Sequence, residues 1–399
     1  MALDFAQSER STIGVEWELQ LVDKDSNNLR QVANTVIERA WEQEDLRPLV
    51  QREMLLNTVE VISKARNTVG DCLGDLRYAV EKLRPITEDL RTDLATAGTH
   101  PFARPRYQRV TDSVRYKDLV QRTQYWGRQM LLYGVHVHVG IEDRNKVLPI
   151  VNAIVTRAGH LQALAAASPF WTGEDTGYAT NRAMVFQQLP TAGMPPQFHD
   201  WEELERYHAG MTKTGVIGSF DELRWDVRPS PRLGTVEVRI FDACTNITEV
   251  EAMASLTHCM VEYFSDMYDA GESLPVLPEW FAAENKWRSA RYGIDAKLIL
   301  DEEGNEEPAR DTIERMLEEL RPTAVRLGCA DGLQKVREIF RFGPSYQRQR
   351  DVAKSAGKWD LDTVVELLRA EMQNDGPIAP SAFLESYRSG AHTGSGARI

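Results

Sequence analysis

The 399-residue sequence predicts an α+β fold, an antiparallel sheet with helices packed on one face and the other face left open. Two observations carry this expectation. Segments with helical spacing are interleaved with segments of strand spacing, and the strand segments alternate apolar and polar residues. A parallel sheet covered on both faces needs continuous apolar strands, whereas alternation marks a sheet with one buried face. The second face is then available for chemistry.

The first strand is "GVEWELQLV", residues 14 to 22. Val15, Trp17, Leu19 and Leu21 share one face, while Glu16, Glu18 and Gln20 share the other. Glu16 and Glu18 stand about 7 Å apart along the strand, close enough to bracket a cluster of cations. A solvated antiparallel face would also carry Glu and Gln. "DKDSNNL" breaks the strand, a helix is expected through "ANTVIERAWEQ", and a second strand at "EMLLNTVEVIS" offers Glu60 and, less regularly, Glu53. From Cys72 to Thr96 the apolar residues Leu73, Leu76, Val80 and Leu83 fall on one helical face, which predicts a long helix kinked at Pro85.

"LLYGVHVHVGI" is the third strand, with Val135, Val137, Val139 and Ile141 opposite His136, His138 and Gly140. A helix follows through "NKVLPIVNAIVTRAGHLQALAAAS", ending at Pro169, and residues 168 to 196, rich in Gly, Pro, Thr and aromatics, read as a long functional loop. In "TVEVRIFDA" Val236, Val238 and Ile240 lie opposite Glu237, Arg239 and Phe241. "ITEVEAMASLTHCMVEYFSDMYDA" is an amphipathic helix with Thr248 as its expected cap and Glu251 in capping-box position. Most of the remainder, including "RDTIERMLEELRPTAVRLG" and "LDTVVELLRAEMQ", is expected to be helical. One domain is expected over residues 1–387, mainly helical from about residue 285, followed by a disordered tail over 388–399.

Composition narrows the function. A formal charge of −13 argues against a nucleic-acid or anionic-membrane surface, so any phosphate site must be locally basic. No apolar run is long enough to span a bilayer, and "MALDFAQSER" has neither a basic n-region nor an apolar h-region, which predicts a cytoplasmic protein. Cys72, Cys244, Cys259 and Cys329 lack metal-binding or disulfide-framework spacing and are expected to be buried free thiols.

The polar strand faces carry the chemistry. Glu16 with Glu18, His136 with His138, Glu60, and Glu237 with Arg239 are metal or phosphate ligands by type, with no lysine among them. Carboxylates with an occasional imidazole suit Mg²⁺ or Mn²⁺, and several ions would offset the repulsion among the glutamates. An arginine two residues from a ligand glutamate can hold a phosphate oxygen that the metal holds from the other side. Singly, each histidine could be a satisfied sheet residue, and Glu237 with Arg239 an ordinary charge pair. "GEDTGYAT" lacks the P-loop pattern.

"TIGVEWELQLVD", "EMLLNTVEVIS", "YGVHVHVGIEDRNKVLPIVN", "ASPFWTGEDTGYATNR" and "WDVRPSPRLGTVEVRIFDA" together resemble the carboxylate-amine ligase family called glutamate–cysteine ligase type 2, distantly related to glutamine synthetase. The resemblance implies a glutamine synthetase-like curved antiparallel sheet, ATP, two or three Mg²⁺ ions, and amide-bond formation. By that resemblance Glu16, His138 and Glu237 hold a metal bridging the ATP phosphates. Glu18 and Glu60 hold one near the acceptor carboxylate, and Arg239 contacts the transferring phosphoryl group. Glu237 and Arg239 are thus the catalytic candidates. Trp17 stands where many members of the family have a third consecutive carboxylate, but it points to the apolar face. His136 is expected behind the ligands. Arg182, and Arg228 or Arg232 in "DVRPSPR", are candidates for anchoring phosphate or the substrate α-carboxylate, and a surface role is equally consistent with each.

The expected substrates are small amino acids, L-glutamate as the acid and L-cysteine as the amine, with no nucleic-acid or membrane partner. The C-terminal helices could pack a homodimer. Three alternatives stand beside this reading: the same mechanism with another amine or acid, a metal-dependent amidohydrolase using His136 and His138 to activate water, and a non-catalytic descendant. A barrel of repeated βα units would favour the amidohydrolase. The intact set of Glu16, Glu18, Glu60, His138, Glu237 and Arg239 disfavours the third.

Overall fold

The computed structural model describes residues 3–355 and 359–389. Its strands are β1 (Ile13–Asp23), β2 (Val50–Arg52), β3 (Thr58–Ile62), β4 (Thr92–Ala95), β5 (Gly134–Gly140), the short hairpin β6 (Phe170–Trp171) and β7 (Glu174–Asp175), β8 (Val227–Ser230) and β9 (Thr235–Asp242), with a second hairpin, β10 (Lys297–Ile299) and β11 (Glu306–Pro308). The helices are α1 (Ala33–Trp41), α2 (Val69–Asp89), α3 (Val114–Thr123), α4 (Arg144–Val155), α5 (Ala158–Ala165), α6 (Asn181–Phe186) and α7 (Trp201–Lys213). Then follow α8 (Ile247–Asp269), α9 (Glu279–Tyr292), α10 (Ala309–Arg326), α11 (Ala330–Phe342), α12 (Ser345–Lys354), α13 (Leu361–Asn374) and α14 (Pro380–Arg388).

The main sheet runs β2-β3-β1-β5-β9-β8, with β4 also paired to β1, and every pairing is antiparallel. The alternation read from the sequence explains how the sheet sits. Trp17 is the direct partner of Val61 on one side and Val135 on the other, and Val137 pairs with Val15 and Val238. These side chains form one buried face. Helix α2 packs on β1 and β3, α8 on β5, α5 on β9 and α4 on β8 and β9. Each fully buried Val, Leu or Ile in this layer contributes about 1.5–3 kcal/mol. Trp17 adds a hydrogen bond, its Nε1 donating to the Cys244 carbonyl at 3.1 Å. The fold is α+β, as the sequence predicts, and the all-antiparallel sheet is not the repeated βα barrel of the amidohydrolase reading.

Several boundaries differ. The helix expected from Cys72 to Thr96 starts at Val69, capped by the Thr68 side chain, passes through Pro85 and stops at Asp89. The residues expected to finish it form β4 instead. Strand β5 covers β1 only from Ile13 to Trp17, so the backbone of β1 beyond it on that edge needs another partner, and Thr92–Ala95 supply it, opposite β3. The helix expected to end at Pro169 breaks at Thr156 and Arg157 into α4 and α5. The expected loop at 168–196 contains β6, β7 and α6, the last capped by Thr180. Thr248 does not cap α8: the Asn246 side chain accepts from Glu249 N, Thr248 donates to the Asp375 carbonyl, and Glu251 pairs with Lys335.

In β9 the register slips. Val137 pairs with Val238, but Val135 pairs with Phe241, so one extra residue of β9 is accommodated between them. This bulge turns Phe241 to the buried face, opposite to the simple alternation, while Glu237 stays on the open face beside His138.

All four cysteines are buried and free, and among the described residues no helix is long and apolar enough to cross a membrane. Arg388, placed in the expected tail, is the last residue of α14, and residues 390–399 of that tail lie outside the described residues.

Candidate active site

The open face of the sheet gathers the predicted polar residues by direct cross-strand pairing. Glu16 pairs with His136, Glu18 with Glu60, His138 with Glu237, and Glu237 with Arg228. Two groups of carboxylate and imidazole atoms result, Glu16, Glu60 and His136, and Glu18, Glu53 and Glu60, each able to bring one donor atom per residue within 4.8 Å of the others. Glu60 belongs to both. Glu53 enters from the turn after β2, where its Oε2 accepts from Met54 N at 2.6 Å and its carbonyl from the Thr111 hydroxyl at 2.6 Å. His136, expected behind the ligands, is the direct partner of Glu16, with Nδ1 2.8 Å from Glu16 Oε2.

This charge arrangement splits the carboxylates. Burial, then the charge of Glu53, pushes the Glu18 carboxyl up to about 8. Burial and the charges of Glu16, Glu53 and Glu18 raise Glu60 well above the usual range, and burial raises Glu53. Burial would raise Glu16 too, but the His136 hydrogen bond and the nearby imidazoles of His136 and His138 hold it well below its ordinary range. Burial and Arg239 depress His136 to about 4. For His138, the lowering effect of burial is outweighed by Glu237 and Glu16.

The donor set fits a hard divalent cation. His138 Nδ1 is 3.0 Å from the Thr235 hydroxyl, which leaves Nε2 buried without a hydrogen-bond partner among the described residues. That atom lies 3.4 Å from Glu16 Oε1 and 4.0 Å from Glu237 Oε1. A buried imidazole nitrogen between two carboxylates, oriented by a hydroxyl on its other nitrogen, is arranged as metal-ligating histidines are.

Beside these carboxylates the face turns basic. Glu237, only 1% exposed, accepts from Arg228 Nε at 2.6 Å on one oxygen and from Arg239 at 2.8 Å on the other. Burial acts to raise Glu237, but Arg228 and Arg239 overcome it and keep the group ionised. Arg182 lies over Gly134, where a Cβ would come within 2.4 Å of its guanidinium, and donates to the Arg239 and Ile240 carbonyls at 3.2 and 3.4 Å. Among the described residues it has no ion pair. Both Arg182 and Arg239 lie against the Phe186 ring, at 5.7 and 5.9 Å.

Arg232 is the predicted residue that the structure leaves outside this cluster. Its side chain is 80% exposed and pairs with Asp221 at 2.9 Å. The bend after Ser230 directs it to the surface, while Arg228, one strand turn earlier, keeps its pairing with Glu237.

Two buried arrangements escaped sequence reasoning. Asp242 accepts from Ala167 N and the Ser168 and Thr180 hydroxyls, joining β9 to the segment that carries Arg182. Asp226 pairs with Lys286 of α9 while its carbonyl accepts from Arg239 N at 2.9 Å, holding the bulge that presents Arg239. No local motif marks either one, because each depends on partners distant in sequence.

A family model described as glutamate-cysteine ligase family 2 matches residues 12–366. A protein of Mycobacterium sp. (strain JLS), provisionally named glutamate–cysteine ligase 2-1, is 50% identical over 371 residues, covering 93% of this chain and 97% of that one. One from Arthrobacter sp. (strain FB24), with the same provisional name, is 48% identical over 385 residues, 95% of this chain and 100% of the relative. Among solved structures, glutamate–cysteine ligase from Francisella tularensis in complex with AMP superposes with a TM-score of 0.63 at 14% identity, over 97% of this chain and 99% of that one. A bifunctional glutathione synthetase from Pasteurella multocida gives 0.60 at 16%, over 92% of this chain and 52% of that one. The distant structures share the fold, and the sequence match over most of the length decides the family: the chain belongs to glutamate–cysteine ligase family 2.

Proposed function

We propose that this protein is an ATP-dependent carboxylate-amine ligase that joins the γ-carboxylate of L-glutamate to an amine, L-cysteine by family precedent. The carrying observation is that Glu237, 4.0 Å from the His138 imidazole on the carboxylate-rich face, also accepts from Arg228 and Arg239, so that groups suited to divalent cations adjoin guanidiniums suited to phosphate. Glu16, His138 and Glu237 would hold one Mg²⁺ or Mn²⁺, and Glu18 and Glu60, with Glu53, a second. Such cations neutralise charge on phosphoryl and carboxylate oxygens.

In the first step a substrate carboxylate oxygen attacks the γ-phosphorus and ADP leaves, giving an acyl phosphate. In the second the amine nitrogen attacks the acyl carbon, phosphate departs with the former carboxylate oxygen, and the amine gives up a proton. Catalysis of phosphoryl transfer is mainly positioning and charge stabilisation. Arg239 suits this role, paired with a Glu237 that is itself held by Arg228. Arg182 supplies a second guanidinium with no ion-pair partner to satisfy first among the described residues.

The test is phosphate release from MgATP with L-glutamate and a panel of amines, beside Glu237→Gln. Release that requires glutamate, rises with cysteine and is abolished in the variant supports the ligase. Release with another amine keeps the mechanism and changes the product. Silence across acids and amines contradicts the proposal.

A further inference from the structure

Residues 104–128 hold seven basic residues against two acidic ones, in a chain whose net charge is −13. Within them lies α3, a helix without a single buried residue. Both stems of this excursion are tied to the carboxylate cluster. On the way in, Thr111 donates from its hydroxyl to the Glu53 carbonyl at 2.6 Å and from its N–H to the Met54 carbonyl at 2.8 Å. On the way out, Gly134 N donates to Glu18 Oε2 at 2.6 Å. The helix between them is therefore held beside Glu18, Glu53 and Glu60 by its ends and not by a packed face. Around it Val114, Tyr125 and Trp126 are left exposed. A helix stabilised by so little buried surface belongs to the low-stability end of a structure, where lids are drawn from.

Lys117 pairs with Asp112, but the two arginines of the helix have no such partner among the described residues. Among the described residues neither Arg115 nor Arg122 makes a hydrogen bond or ion pair, and the Arg224 guanidinium donates only to the Glu222 carbonyl, at 2.9 Å. Yet both helix arginines are close enough to act on Arg224. Burial, then the positive charges of Arg115, Arg239 and Arg122, lower Arg224 to about 10, with Glu222 opposing. Guanidiniums gathered at the rim of a site without ion-pair partners among the described residues are a seat for an anion.

Resting on the ligase reading, we propose that α3 is a lid over the carboxylate cluster and that Arg115 and Arg122, with Arg224, seat the non-reacting carboxylate of the acid substrate. A carboxylate fits better than a phosphate chain because the lid is anchored at Glu53 and Glu18, the half of the site assigned to the acceptor acid. The phosphate-facing guanidiniums, Arg239 and Arg182, belong to the other half. The seat makes Arg115 and Arg122 specificity-determining residues: they select acids that carry a second carboxylate.

The test compares the wild type with the double variant Arg115→Gln/Arg122→Gln, whose fold should survive because neither side chain is bonded; an unchanged melting temperature checks this. Phosphate release is measured with L-glutamate and with γ-aminobutyrate, which keeps the reacting carboxylate and lacks the other. The expected result is a rise of about 10- to 100-fold in KM for L-glutamate, an unchanged KM for MgATP, loss of the preference for L-glutamate over γ-aminobutyrate, and recovery in Arg115→Lys/Arg122→Lys. An unchanged KM for L-glutamate, equal losses with both acids, or a shift in KM for MgATP instead would overturn the seat. If the wild type releases no phosphate with any acid, the ligase reading itself fails. Calorimetric titration with L-glutamate then decides the seat: weaker binding by the double variant supports it, and equal affinity or no binding by either protein overturns it.

Discussion

Glu18 and Glu60 are direct cross-strand partners on the open face of the sheet, two carboxylates where adjacent strands ordinarily avoid like charges. Their mutual repulsion, increased by Glu53, is a standing cost that a divalent cation would remove. Mg²⁺ should therefore raise the melting temperature over that in EDTA. At a hundredfold excess over its Kd the gain is about 2.7 kcal/mol. Glu60→Gln should melt higher than wild type in EDTA and lose most of the Mg²⁺ response. A wild type indifferent to Mg²⁺ would contradict the metal assignment.

The same cluster sets a pH dependence. Because the folded-state value of Glu18, about 8, lies above its ordinary 4.5, folded protein binds more protons than unfolded protein between those limits. Its contribution to stability is complete below about 4.5 and is lost as pH rises through about 8. Melts in EDTA from pH 5 to 8 should show a steeper fall for wild type than for Glu18→Gln. Saturating Mg²⁺, which favours the ionised carboxylate, should flatten the wild-type curve.

Arg239→Lys should keep a positive charge beside Glu237 and so preserve the fold. It exchanges a forked, planar donor for a point charge. If Arg239 stabilises the transferring phosphoryl group, kcat should fall by about 10²- to 10³-fold, with little change in melting temperature. Steady-state kinetics beside thermal melts separate this from a structural defect.

Gly134→Ala would place a Cβ 2.4 Å from Nη2 of Arg182, whose guanidinium is held through its two Nη atoms by the Arg239 and Ile240 carbonyls. We expect kcat/KM to fall by about tenfold or more through displacement of Arg182, with the sheet intact. Because both substitutions would act through one side chain, Gly134→Ala added to Arg182→Ala should cost little further activity. Additive losses would show that Gly134 matters for another reason.

The period-two alternation made β1, β5 and β9 legible, and with them the placement of Glu16, Glu18, His138 and Glu237 on one face. Glu60 followed from the same rule. Features set by distant partners were not legible. Leu94 suits a helix or a strand, and only the unpaired backbone of β1 decides for β4. The bulge that turns Phe241 inward is defined by register against β5 and not by residues of β9 alone. Arg228 and Arg232 look equivalent in "DVRPSPR", but one lies in the ladder and the other beyond its end. Asp226 with Lys286 is a pair across 60 residues, and nothing near either residue announces it.

In the proposed reaction a substrate carboxylate is activated by phosphorylation. The most direct test of this is turnover with L-glutamate labelled with ¹⁸O in the γ-carboxylate, MgATP and the accepted amine, followed by mass analysis of the phosphate released. One ¹⁸O atom is expected in each phosphate formed with the amide product, because the bridging oxygen leaves with phosphorus. Unlabelled phosphate formed together with product would contradict it.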